Sequence, residues 1–241
     1  MIVAEIYTQT NGKIAGFVLK GHSDGNERGH GYNIHCAEVS VLSQSAYLGI
    51  LKYLNRAATN NNENGGLGIK LEDAPDDLTE AIFQIMIIGL RKIEKIAPDI
   101  VKIQTIQIDA ETENNFRRKI NDMKPTLPET LPKLADEKVR IRADIFRNDD
   151  GKITGFSIKE RKAKNDAKVE IYRAGIWSLS KATSACVKDY LKRDVTFDSG
   201  SRRLVVKLKT LPDDITEAVF QTMIIGLREI ERQAPQIIQV S

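Results

Sequence analysis

The chain is written twice, and this repeat limits the folds open to it more than any other feature. IVAEIYTQTNGKIAGFVLK, from Ile2, returns as IRADIFRNDDGKITGFSIK, from Ile141, an offset of 139 residues. APDDLTEAIFQIMIIGLRKIEKIAPDI, from Ala74, returns as LPDDITEAVFQTMIIGLREIERQAPQI, from Leu211, an offset of 137. A two-residue deletion therefore lies between the matches, and one supersecondary unit has been duplicated. Each unit has roughly a hundred residues, enough to bury a small core.

The apolar pattern inside a unit is the same in both copies. Ile2 to Tyr7 and Ile14 to Leu19 alternate around Asn11-Gly12, which predicts a β-hairpin. From about Cys36 the positions Val39, Leu42, Ala46, Ile50, Tyr53 and Leu54 recur at helical spacing, and the helix is expected to stop before the NNNENGG turn. Leu67 to Leu71 is a short strand. A second helix starts at Pro75, Asp76 and Asp77, with Asp77 and Glu80 at capping-box spacing, and runs to Ala97 ahead of Pro98. Ile100 to Ile108 is a last strand. The order predicts an α+β fold: a tandem pair of two-layer β-β-α-β-α-β units, each with its helices packed on one sheet face. The expected domains are 1–108 and 139–241. Residues 109–138, polar and interrupted by Pro125, Pro128 and Pro132, read as a linker with a short helix around Phe116 to Met123.

The segment GHSDGNERGHGYNIHCAEVS, Gly21 to Ser40, carries all three histidines and one of two cysteines. No second cysteine lies near it, so a disulfide framework is excluded, and the expected compartment is the reducing cytoplasm. No apolar run is long enough for a membrane span, and the start lacks a signal peptide's pattern, so no membrane partner is expected. A net charge of +3 arises from interspersed Lys, Arg, Asp and Glu, which gives no support to direct nucleic-acid binding.

Four chemistries fit such a segment unequally. As a metal site, His22, His30, His35 and Cys36 match none of the common zinc spacings. As a phosphate loop it lacks the G-K-[ST] ending. A buried, inert thiol with solvated histidines is the plain structural alternative. As a nucleophile, Cys36 falls at a helix N-terminus with Asn33 a candidate cap, where unpaired amides and the helix dipole favour the thiolate. His22, at the far end of the loop, then supplies a base, and the helix amides an oxyanion hole. The repeat bears on the choice. In the second copy Arg161 stands at His22, Arg173 at Cys36, and the loop glycines Gly21, Gly25, Gly29 and Gly31 are all replaced. Histidine, thiol and flexible loop are lost together, as features serving one activity would be. Cys186, opposite Gly49, reads instead as a helix-packing thiol.

Gly21-His22, the glycine-bearing loop, and GYNIHCAEVS from Gly31 resemble the G-H…G-x-D-I-V-C-A-A-V-S signature of the ribosomal-processing cysteine protease Prp family. The resemblance extends weakly from Met1 to about Ile108, and reaches the second copy only through the first. It implies a cofactor-free, metal-free cysteine endopeptidase that removes an N-terminal extension from a large-subunit ribosomal protein. Cys36 would be its nucleophile, His22 its general base, and Ser23 through Tyr32, with Gly25, Gly29, Gly31 and then Asn33, its substrate-binding loop. Family members pair as homodimers, so the second copy would serve as a built-in pseudo-dimer partner or the chain as a homodimer subunit. The alternative is a non-catalytic peptide-binding or ribosome-assembly module. Three positions depart from the signature: Asn33 for aspartate, His35 for valine and Glu38 for alanine.

Overall fold

A computed structural model describes residues 1–21, 34–63, 66–123, 140–162 and 167–241. The first unit opens with the hairpin of β1 (Ile2–Thr8) and β2 (Ile14–Lys20), in which Ile6 faces Phe17. Helix α1 (Ile34–Leu48) continues into a π-helical turn, Gly49–Tyr53. Strands β3 (Ala58–Glu63) and β4 (Gly66–Leu71), helix α2 (Asp77–Ile96), strand β5 (Val101–Gln107) and helix α3 (Ala110–Asn121) follow. The second unit comprises β6 (Ile141–Arg147), β7 (Ile153–Glu160), α4 (Ala167–Ala185) with its π-helical turn Cys186–Tyr190, β8 (Val195–Gly200), β9 (Arg203–Leu208), α5 (Asp214–Gln233) and β10 (Ile238–Val240).

The two sheets are equivalent strand for strand. The first runs β3-β4-β2-β1-β5 and the second β8-β9-β7-β6-β10. In each, the last strand lies parallel to the first and every other pairing is antiparallel. The α+β architecture stands, but each unit has one strand more than the apolar pattern predicts, giving β-β-α-β-β-α-β. The extra strand, β3, is ATNNNE, which was read as part of a turn. An edge strand draws on its neighbour's backbone and needs no apolar stripe of its own; Asn60 here also accepts from the Tyr47 hydroxyl at 2.8 Å.

The helix start at Asp77 is as expected, but its cap lies one residue earlier. Asp76 accepts from the Thr79 amide at 2.8 Å while the Thr79 hydroxyl accepts from the Asp76 amide at 3.0 Å, and Asp213 and Thr216 repeat the arrangement. Glu80 is thereby released for another task. The β1/β2 register shifts between Tyr7 and Thr8, and Glu80 accepts from the Ile14 amide there at 2.8 Å, as Glu217 does for Ile153. A ladder donor displaced by the bulge is thus satisfied by a side chain.

Helices α1 and α2 cover one face of the first sheet, and α4 and α5 the matching face of the second. The four also pack on one another across the units, α1 against α4 and α5, and α2 against α4 and α5. The molecule is layered sheet, helices, helices, sheet, with one continuous core from Ile2 to Ile238. Within the expected linker, α3 is longer than the Phe116–Met123 helix read from sequence and docks on the opposite face of the first sheet. There Phe116 stacks on Tyr7 at 3.8 Å, with Val18 and Ile120 beside them, all buried. Ion pairs Lys119–Glu5, Arg117–Glu72 and Lys70–Glu113 frame that contact. The second sheet carries Ser157 where the first has Val18, and its hydroxyl donates to Asp144 at 3.0 Å. A polar partner at that position suits a face over which no helix lies among the described residues.

Candidate active site

The candidate nucleophile sits where the hydrophobic pattern and the loop meet. Cys36 is the third residue of α1. It is half-buried and packs against the shared core, while Val39, one turn on, is 4% exposed. The first turn of α1 therefore stands at the edge of the core, with the helix body anchored beneath it. Amides of a first helical turn have no intrahelical acceptor and carry the positive end of the dipole. A thiol and such amides together meet the needs of acyl transfer, a nucleophile and donors for an oxyanion.

Two of the three departures from the family signature turn out to be partners. His35 Nδ1 donates to Glu38 Oε2 across 2.8 Å, both side chains about three-quarters covered. On a helix, residues three apart share a face, so the pairing was readable from the spacing alone. His22, His30, Gly25, Gly29, Gly31 and Asn33 lie outside the described residues. Among the described residues no group of three or more His, Cys, Asp and Glu side chains is placed to hold a metal ion.

The second unit is built differently at the equivalent place. Arg173 stands at the Cys36 position, on α4. Its guanidinium donates to Glu160 at 2.7 Å and to Glu170 at 3.1 Å, and the Trp177 indole donates to Glu160 at 2.9 Å. No thiol stands at this position. Cys186 is fully buried, and burial pushes its thiol up to about 12.

The first unit thus carries a half-buried cysteine on a helix laid on a mixed sheet. Residues 1–102 match the family model of the cysteine protease Prp. The ribosomal processing cysteine proteases Prp of two Staphylococcus aureus strains, Mu50 / ATCC 700699 and NCTC 8325 / PS 47, are each 32% identical over 99 residues, covering 39% of this chain and 90% of the relative. The chain belongs to the Prp family of cysteine proteases. A crystal structure of Prp from S. aureus in complex with a substrate peptide superposes with a TM-score of 0.40 and 24% identity, over 44% of this chain and 100% of that one. No helix of the described residues is long and apolar enough to cross a membrane.

Proposed function

We propose that the protein is a cysteine endopeptidase that trims an N-terminal extension from a large-subunit ribosomal protein in the cytoplasm, with the active site in the first unit (1–108) and a catalytically silent second unit (139–241). The Cys36 thiolate attacks the scissile carbonyl. His22 accepts the thiol proton and returns it to the leaving amine, amides of the first turn of α1 hold the oxyanion, and water releases the acyl-enzyme. Gly25, Gly29, Gly31 and Asn33 belong to the loop that closes over the extended peptide. The observation that carries this reading is the contrast between the units: a half-buried thiol on α1 in one, and an arginine held by two glutamates at the matching place on α4 in the other. The name of the Staphylococcus aureus relatives supports the substrate class.

The test is mass spectrometry of an extended ribosomal-protein N-terminal peptide after incubation with the protein, Cys36→Ala and His22→Ala. Cleavage by the parent and by neither variant is expected. An intact peptide under reducing conditions sinks the reading, and the second reading, a peptide-binding or ribosome-assembly module, takes its place. The His35–Glu38 pair favours that alternative, since it puts two polar departures from the family signature on either side of the thiol.

The packing of α1 and α2 on α4 and α5 supports an internal pseudo-dimer. Light scattering is then expected to give the mass of one chain, 27.0 kDa.

A further inference from the structure

The two units approach closely beside the candidate nucleophile. Gly175 of α4 faces α1, and a Cβ built on it would stand 2.6 Å from Val41 Cγ2, 3.3 Å from Val41 Cβ and 3.7 Å from the carbonyl oxygen of Ala37. Ala37 follows Cys36 directly, so the α4 backbone lies against the first two turns of α1. The contact is not mirrored: at the offset of 137 the first-unit counterpart of Gly175 is Glu38, which is engaged with His35. Lys181 of α4 lies 5.4 Å from the centre of the Trp177 ring, with Lys92 of α2, Arg173 of α4 and Glu38 of α1 as the charged groups around it.

We propose that α4 positions the nucleophile: the bare backbone at Gly175 seats the opening turns of α1, so that the silent unit fixes where Cys36 and its neighbouring amides point. The proposal rests on Cys36 being the nucleophile. Gly175 itself is a positioning residue and touches no reacting atom. A methyl there would stand 2.6 Å from Val41 Cγ2, and because a valine in a helix has one strongly preferred rotamer, a shift of up to about 1 Å between the helices relieves the contact. A misplacement of about 1 Å at a reacting group can cost on the order of 100-fold in rate.

The test reads the rate and pH profile of Cys36 alkylation by iodoacetamide in the full chain, by mass spectrometry of the Cys36 peptide, with chemical denaturation alongside. Gly175→Ala is expected to change the rate by about threefold or more, and Val41→Ala in the same chain to bring it back to within about twofold of the parent. Gly226→Ala is the stability control. Its Cβ would meet Ser45 Oγ at 2.0 Å, a hydroxyl on α1 that can turn to another rotamer, and Leu179 Cδ2 at 2.7 Å on α4, so it should lower stability while leaving the alkylation profile alone. Equal shifts in Gly175→Ala and Gly226→Ala, or an unmoved profile in a folded Gly175→Ala protein, overturn the proposal. Should Gly175→Ala not fold, Val41→Ala alone, which empties the contact without a clash, must move the profile, and an unchanged one overturns it equally. Peptide cleavage is followed in parallel: a parent that never cleaves removes the protease reading, whereas the alkylation series still decides the positioning role.

Discussion

Cys186 Sγ lies 3.6 Å from the carbonyl oxygen of Ala81 in the other unit, at a position with no exposed surface. Burial has raised its thiol to about 12, so it stays protonated around neutral pH. In the native protein iodoacetamide is expected to modify Cys36 and spare Cys186 until denaturant is added; peptide mapping by mass spectrometry checks this, and native labelling of both would contradict the buried assignment. Gly16 offers a second residue-scale case. It has a φ of +155°, and a Cβ there would stand 2.0 Å from the Ile69 carbonyl oxygen and 2.9 Å from both Ile69 C and Lys70 Cα, all backbone of the neighbouring strand. Nothing flexible can yield, so Gly16→Ala should cost more than about 3 kcal/mol by urea denaturation. Gly155, its counterpart, meets the Val206 carbonyl oxygen at 2.2 Å and predicts a similar loss.

At the scale of elements, α3 is, among the described residues, the one helix on the outer side of its sheet, and charged groups frame its seat. Arg117 hydrogen-bonds Glu72 and holds its carboxyl down at about 2, against an ordinary 4.5. For Glu5, burial pushes the carboxyl up, and the Lys119 and Tyr7 hydrogen bonds more than reverse it. Groups with depressed folded pKa values contribute fully above their unfolded pKa and lose that contribution as pH falls. The seat of α3 should therefore weaken from about pH 4.5 downward, before the sheet loosens. Hydrogen exchange of the 110–121 peptide, corrected for intrinsic pH dependence, should show α3 losing protection first; simultaneous loss in α3 and the strands would refute it. The Arg117–Glu72 pair is more than a third exposed on both sides and contributes at most about 1 kcal/mol, so Phe116→Ala, at about 3 kcal/mol, should release α3 more effectively than Arg117→Ala.

This helix also shows where sequence reading runs out. Its two buried apolar residues, Phe116 and Ile120, sit at helical spacing but in a polar stretch ahead of three prolines, which reads as a connection. Its partners Tyr7 and Val18 come from alternating strands whose outward positions gave no sign of being covered. Strand β3 was hidden for a related reason, since its pairing is backbone to backbone. The hairpins and both sheet-covering helices of each unit were legible because periodicity and turn residues agreed there. The His35–Glu38 pair was legible in principle from its spacing. The approach of Gly175 to Val41 was not, because it joins residues 134 apart in sequence on two units.

For the whole molecule, one core runs through both units, with no solvent layer between the helices to let either unfold alone. Calorimetry should therefore record one transition, and Cys186→Ala, though placed in the second unit, should shift it as a whole. Two separable transitions would mean that the shared core is weaker than the separate ones. The fusion has a further outcome at the π-helical turns. Gly49 fits beneath Thr222, where its own Cβ would be 2.5 Å from the threonine hydroxyl, while at the matching place Cys186 reaches the Ala81 carbonyl. In an assembly of identical subunits every substitution is made twice, and a threonine suited to a glycine would also have to suit that glycine's replacement. Joined in one polypeptide, the halves inherit changes separately and become a matched, unequal pair, so that neither half carries a surface fitted to a copy of itself.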